Sequence, residues 1–394
     1  MPLNNPITSA LLADPEIFQQ NRLPFHAHFA DQTSPELPLT VSLDGEWNFR
    51  YAENLTAPFT DWDTLTVLGF IQMQSLQKPG QPYGTPHYVN TQYPWDGHEK
   101  LRPGEIPQDY NPIGEYQRSF TLPESWASCY LRLNGADSAA AVWCNGVYIG
   151  YTEDTFTPAE FDMTAAVHPG ENTLTVQVYR FSSGSWLEDQ DFWRFGGIHR
   201  SIYVIHTPDI RIRDYVVRTL PDSVYRDFTI QIDPRLSVYR AESGKGYTLQ
   251  AILTDTDGTS LAQLSCSAEE VLDLEHKASR MNEWFPQRGP RKMGRMTTVI
   301  KNPKQWTAET PSLYSLHLSL QDSTGRIVEQ ICQPVGFRSV EVRDGQMLVN
   351  GRPIRFRGVN RHEHDPRLGR VMTEERMLQD ILLMKQGNVN AVRT

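Results

Sequence analysis

The densest run of ionisable side chains is Arg361-His-Glu-His-Asp365. His362 and His364 are two residues apart, so on extended backbone they share a face, the arrangement of a two-histidine metal pair. A metal site of that kind also needs further His and Asp ligands from later in the chain. The plainer alternative is that one histidine is buried and hydrogen-bonded, while Glu363 and Asp365 make structural ion pairs.

A second concentration lies in Trp186-Leu-Glu-Asp-Gln-Asp-Phe-Trp-Arg-Phe-Gly-Gly-Ile198, where four acids or amides stand among four aromatic rings. Hydroxyl groups need polar partners and sugar ring faces are apolar, so this mixture suits a carbohydrate. A buried aromatic cluster tied down by charges explains the same composition. Asn90, within Tyr88-Val-Asn-Thr-Gln-Tyr-Pro-Trp95, offers an amide for a hydroxyl, although asparagines more often serve turns. Arg393 can orient a carboxylate or stand as a surface charge. The sequence holds no Gly-rich phosphate loop and no convincing Ser/His/Asp arrangement.

The elements that must position these residues are legible around them. Ile354-Arg-Phe-Arg-Gly-Val-Asn360 alternates like a strand that ends at the histidine cluster. Thr373 is a candidate N-cap, Glu374 and Glu375 suit the positive helix end, and Met377, Leu378, Ile381, Leu382 and Met384 mark an apolar face. Gly387 is the expected stop, and Asn390-Ala-Val-Arg-Thr394 a second strand. Strand, helix and strand with charges at the first strand's carboxyl end predict the opening unit of a (β/α)₈ TIM barrel.

Upstream, short strands and turns predominate. Gly45–Tyr51, Tyr116–Leu122, Ser128–Leu133, Ala139–Cys144, Val147–Tyr151, Asn172–Arg180 and Ser201–Ile205 predict a β-sandwich, with Asn145-Gly146 as a hairpin turn. Between them, Gln72–Asn111 is proline-rich and reads as a functional loop. Asp227–Ile232, Tyr247–Leu253 and Tyr314–Leu320 suit an immunoglobulin-like sandwich, and a hairpin through Asn350-Gly351 leads out of it. The expected organisation is a docking arm over 1–37, a sandwich over 38–207, a second over 208–337 and an incomplete barrel over 338–394.

At 394 residues the chain is too long for one ordinary core. A net charge of −10 without a run of Lys or Arg argues against nucleic acid. The N-terminus lacks a signal-peptide pattern and no apolar run reaches membrane-spanning length. Cys129, Cys144, Cys266 and Cys332 lie far apart with no C-x-x-C, so no disulfide framework is expected and the cytoplasm is the default.

Taken together, Asn21-Arg-Leu-Pro24, Leu43-Asp-Gly-Glu-Trp-Asn-Phe49, Asn111-Pro-Ile-Gly-Glu-Tyr116, Trp143-Cys-Asn-Gly146, Leu187-Glu-Asp-Gln-Asp191 with Trp193-Arg194, Gly358-Val-Asn-Arg-His-Glu-His364, Asp380-Ile-Leu-Leu-Met-Lys-Gln386 and Asn390-Ala-Val-Arg393 resemble the β-galactosidases of glycoside hydrolase family 2. Arg361 and His364 are similar to the galactosidases where glucuronide-cleaving relatives have Lys and Asp. The resemblance implies a multidomain, mainly β chain: a jelly-roll sugar-binding sandwich, an immunoglobulin-like sandwich and the start of a TIM barrel. It implies that Asn90 and Asp191 reach the barrel's mouth, with Asp191 holding the galactose 6-hydroxyl and a sodium ion. His362 is then a transition-state contact and Arg393 a neighbour of the nucleophile.

The implied reaction is retaining hydrolysis of terminal β-galactosides such as lactose, using two glutamates. Both glutamates, and most magnesium ligands, belong to later barrel strands, so the expectation is that this chain alone is inactive and that the full enzyme is a homo-oligomer or a two-subunit complex. A carbohydrate-binding or complementing subunit of a split enzyme is the alternative, and a metal-dependent amidohydrolase using His362 and His364 a more distant one. Phe70-Ile71-Gln72 and Arg200-Ser201 depart from the family's commoner residues, away from the implied site.

Overall fold

Two successive left-handed residues, Asn145 at φ 50° and Gly146 at φ 79°, turn the chain between Ala139–Cys144 and Val147–Thr152. That is the type I′ geometry an Asn-Gly pair is suited to, and it pairs Val147 with Cys144. The computed structural model describes residues 5–26, 40–124, 126, 128–188, 191–239, 244–274 and 296–394. Residues 1–4 and 27–37 of the expected arm, and Asp189 and Gln190 of the acidic-aromatic cluster, lie outside those residues.

The hairpin belongs to an antiparallel sheet ordered Gln19–Gln20, Val147–Thr152, Ala139–Cys144, Gly170–Tyr179, Ile113–Leu122, Gly45–Ala52 and Asp63–Val67. A second sheet, ordered Ala159–Asp162, Cys129–Leu133, Ile202–His206 and Thr40–Ser42, faces it. Trp47, Phe49, Tyr116, Leu131, Phe161 and Val176 fill the space between. Ala139–Cys144 lacks the usual in-out alternation because both its faces are covered. Ala140, Val142 and Cys144 face the sandwich core, while Ala139, Ala141 and Trp143 pack with Ile7 and Leu12 of the N-terminal segment. The N-terminal segment thus docks through aliphatic residues, while its aromatics Phe18 and Phe25 stay exposed.

In the second sandwich Ile210–Pro221, Phe228–Val238 and Met296–Ile300 form one sheet. Ser260–Ser267, Thr248–Thr254, Tyr314–Gln321 and Ile327–Val335 form the other. Here the period of two is clean: Leu316, Leu318 and Leu320 point inward with Leu249, Leu253, Phe228 and Ile230.

A small sheet, Val340–Arg343, Gln346–Val349 and Arg352–Pro353, turns at Asn350 and Gly351. Gly358–Asn360 then lies parallel to Ala391–Arg393, with helix Glu374–Gln386 between them in sequence. The first strand is shorter than its alternation predicts, since Ile354–Arg357 pass as irregular chain. Thr373 caps the helix, its side chain accepting the Arg376 N–H. The helix stops where expected, with Gly387 as its C-cap, but Gly387 keeps φ −76° and it is Asn388 that takes the left-handed conformation, at φ 56°. Asparagine tolerates that region, so the turn after the cap is completed there rather than at the glycine.

The proline-rich stretch holds more regular structure than its composition suggests. Helix Ile71–Ser75 opens it, with Gln72 Oε1 accepting the Gly196 N–H at 2.9 Å. Strand His87–Val89 pairs with Phe192–Arg194. Local sequence hides both, because their partners lie about a hundred residues away.

Candidate functional site

The two-stranded ribbon of His87–Val89 and Phe192–Arg194 sets Tyr88 opposite Trp193, with ring centroids 5.5 Å apart. Tyr88 Oη donates to Asp191 Oδ1, which fixes the carboxylate beside both rings. Trp193 in turn stacks on His364, centroids 6.4 Å apart and planes 17° off parallel. A residue of the jelly roll thus touches the loop after the first barrel strand. Between them is a cleft of about 480 Å³ whose walls include Tyr88, Asp191, Trp193, His362, His364 and Arg370.

Of the residues singled out in the sequence, Asp191 and His362 meet in this cleft. Asn90 is exposed just past strand His87–Val89. Arg393 is exposed at the carboxyl end of Ala391–Arg393, level with Asn360, and its carbonyl accepts the Arg361 N–H at 2.8 Å. Neither lines the cleft. The plainer view of the ionisable cluster holds for its acids. Glu363 pairs with Arg361 at 2.7 Å, Arg361 also holds Asp380 at 2.6 Å, and Asp365 pairs with Arg376 at 3.2 Å. Backbone N–H groups of Arg367 and Leu368 hold the Asp365 carboxyl below its ordinary pKa. It does not hold for the histidines, since His362 and His364 are both exposed. Among the described residues no group of three or more His, Cys, Asp or Glu is placed to hold a metal ion.

Arg370 is the residue that sequence reasoning passed over. Its guanidinium pairs with Asp137 of the jelly roll, donates to the Trp193 carbonyl at 2.6 Å and lies over the Phe192 ring at 4.6 Å. Next to it, Gly369 at φ 70° rests against Phe195 and Phe70, where a Cβ would come within 2.9 Å of Phe195 Cζ. Val371 packs with Phe70, Met73 and Phe195. Gly369-Arg370-Val371 therefore pins the barrel loop to the sandwich, and a lone arginine in a loop carries no sequence signal of that role.

Burial shapes the charges behind the cleft. It raises the Asp137 carboxyl, against the opposing pull of Arg370 and Arg180. It pushes Glu188 up to about 7, although Thr155 gives that carboxylate its N–H and its hydroxyl, each at 2.7 Å. Burial also lowers His199 to about 3, leaving a neutral ring stacked 5.2 Å from Phe70. Glu188 is thus part of the scaffold, and Asp191 is the described acid of that segment that reaches the cleft.

Three family models match the chain in succession: glycosyl hydrolases family 2, sugar binding domain, over 40–208; glycosyl hydrolases family 2 over 210–338; and glycosyl hydrolases family 2, TIM barrel domain, over 340–394. The chain belongs to glycosyl hydrolases family 2. It is 39% identical to a β-galactosidase of Priestia megaterium, over 97% of this chain and 37% of that protein. It is 40% identical to one of Halalkalibacterium halodurans with the same coverage. The chain therefore spans 37% of the length of these curated relatives. Among solved structures, Bifidobacterium dentium β-glucuronidase complexed with coumarin-3-O-glucuronide superposes with TM-score 0.69 at 22% identity, over 93% of this chain and 59% of that one. Bacteroides uniformis β-glucuronidase gives 0.66 at 21%, over 90% and 39%. At these identities the likeness speaks for the fold. No helix among the described residues is long and apolar enough to cross a membrane.

Proposed function

We propose that this chain forms the galactose-binding side of a β-galactosidase that hydrolyses terminal β-galactosides such as lactose with retention, in the cytoplasm. The observation that carries the reading is the meeting of Asp191, Tyr88 and Trp193 from the jelly roll with His362 and His364 from the barrel loop in one cleft. Fixed hydrogen-bonding groups beside flat rings match a pyranose, whose hydroxyls need partners and whose carbon face is apolar. The relatives named β-galactosidase support the choice of sugar.

Asp191 takes the 6-hydroxyl and, with its second carboxylate oxygen, a sodium ion. A hard carboxylate oxygen beside the one that accepts from Tyr88 fits that cation. His362 contacts the sugar as the bond breaks. Asn90 and Arg393 come to bear on it only with further barrel structure around the cleft. Retaining hydrolysis needs two glutamates on either side of the bond; among the described residues lining the cleft the one glutamate is Glu363, which is paired with Arg361, so the chain binds sugar without cleaving it.

The test is calorimetric titration of the chain with galactose, beside an assay on a chromogenic β-galactoside. Sodium-dependent galactose binding that Asp191→Asn removes, with no hydrolysis, is the expected result. Binding untouched by Asp191→Asn overturns the site, and hydrolysis by the chain overturns the division of labour.

A second reading, a subunit that complements a separate barrel, draws on the helix Glu374–Gln386, which has no buried residue. Mixing the chain with a separately expressed barrel portion then restores hydrolysis, and no gain on mixing removes this reading.

A further inference from the structure

Successive residues of a strand point to opposite faces, so the ribbon that presents Tyr88 to the Asp191 cleft presents its neighbour His87 to the other side. A separate pocket of about 530 Å³ lies there, and none of its walls is shared with the cleft. Trp95 and Phe181, both buried, line it; the half-exposed Tyr110 stands at its mouth, with His87 and His98. In its wall sits Arg180, 5% exposed. Arg180 Nη2 donates to the carbonyl of Arg194, the residue paired with His87 across the ribbon, at 3.3 Å. Its Nε and Nη1 have no hydrogen-bond partner.

A buried guanidinium with N–H groups unmatched is costly, and an anion drawn against its charge at the pocket wall offsets part of that cost. The acids at the pocket do not fill this role. Glu99 is engaged by the backbone N–H groups of Gln108 and Asp109, at 2.9 and 3.2 Å, and Asp109 is exposed at the rim. The volume lies within the range of about 300–1,000 Å³ usual for small-molecule sites.

We infer that this pocket is a second ligand site, distinct from the sugar cleft, that takes a small hydroxylated carboxylate. The carboxylate pairs with the charge of the Arg180 guanidinium at the pocket wall, hydroxyls meet His87 and His98, and the apolar ring face lies along Tyr110. The inference is independent of the proposed galactosidase function, because it uses none of the cleft's residues.

Calorimetric titration of the chain with shikimate, a cyclic hydroxylated carboxylate, and with its neutral methyl ester tests it. Saturable binding of shikimate is expected, with the ester at least about tenfold weaker, since the pairing of carboxylate with guanidinium is lost. Arg180→Gln lowers shikimate affinity by at least about tenfold on the same grounds. His87→Ala, at the exposed rim, weakens it less and leaves the fold intact, so the test survives if the arginine variant does not fold. Asp191→Asn leaves it unchanged. No binding, equal affinity for acid and ester, full affinity in Arg180→Gln, or loss of shikimate binding in Asp191→Asn each overturns the inference. Loss of galactose binding in Asp191→Asn with shikimate binding retained separates the fate of this site from that of the sugar cleft.

Discussion

Strand Ala139–Cys144 and helix Glu374–Gln386 are both rich in aliphatic residues, and they meet opposite environments. Every residue of the strand is buried, its two faces covered by the sandwich core and by the N-terminal segment. The helix buries none: Leu378, Ile381 and Leu382 are each at least 50% exposed. The strand derives its stability from burial that its own chain supplies. The helix rests on its cap and on the Arg361–Asp380 pair. The cleft spans the two regimes, with Asp191 on a ribbon anchored to a packed sandwich and His362 on a loop held by ion pairs.

The largest test of that contrast is Trp143→Ala, which empties a fully buried site where arm and sheet meet. It should cost about 3–5 kcal/mol in chemical denaturation. A cost near zero would mean that the arm does not cover the sheet. Arg370→Met leaves Asp137 buried without its closest cation, and removing one member of a buried pair costs about 3–5 kcal/mol. Because Arg370 also holds the Trp193 carbonyl, the same variant should weaken galactose binding at the cleft. Destabilisation with unchanged galactose affinity would show that the pin serves the fold alone.

A third test is pH. Burial raises Glu329, in the second sandwich, from its ordinary 4.5 to about 7, with Arg211 opposing. Between those values the folded chain binds more protons at this site than the unfolded chain, so stability falls as pH rises from about 4.5 to 7. Glu329→Gln removes that contribution, and denaturation curves at several pH values read it as a shallower slope. The smallest effects are expected on the helix. Thr373→Ala costs about 1 kcal/mol through the lost cap, while Ile381→Ala stays within about 0.5 kcal/mol because nothing covers it. A large loss at Ile381 would show that the face is covered in solution.

The Asn145-Gly146 turn was legible in the sequence, as were the alternating strands of the second sandwich and the Thr373 cap, because each depends on residues close together in the chain. The acidic-aromatic run pointed to Asp191, and the histidine pair to the barrel loop. The helix inside the proline-rich stretch, and the shortening of the first barrel strand, were not legible. Their hydrogen bonds are made, or forgone, with residues far along the chain.

Residue type and spacing by themselves determined most of the elements that form and which side chains could do chemistry, since turn geometry, capping and periodicity are properties of neighbours in sequence. Only the tertiary structure decided that Asp191 and His362 share a cleft, that Arg370 fastens the two sides together and that Arg180 faces a second pocket. Those pairings join residues as much as 233 positions apart, and they follow from how the sheets pack rather than from any local preference.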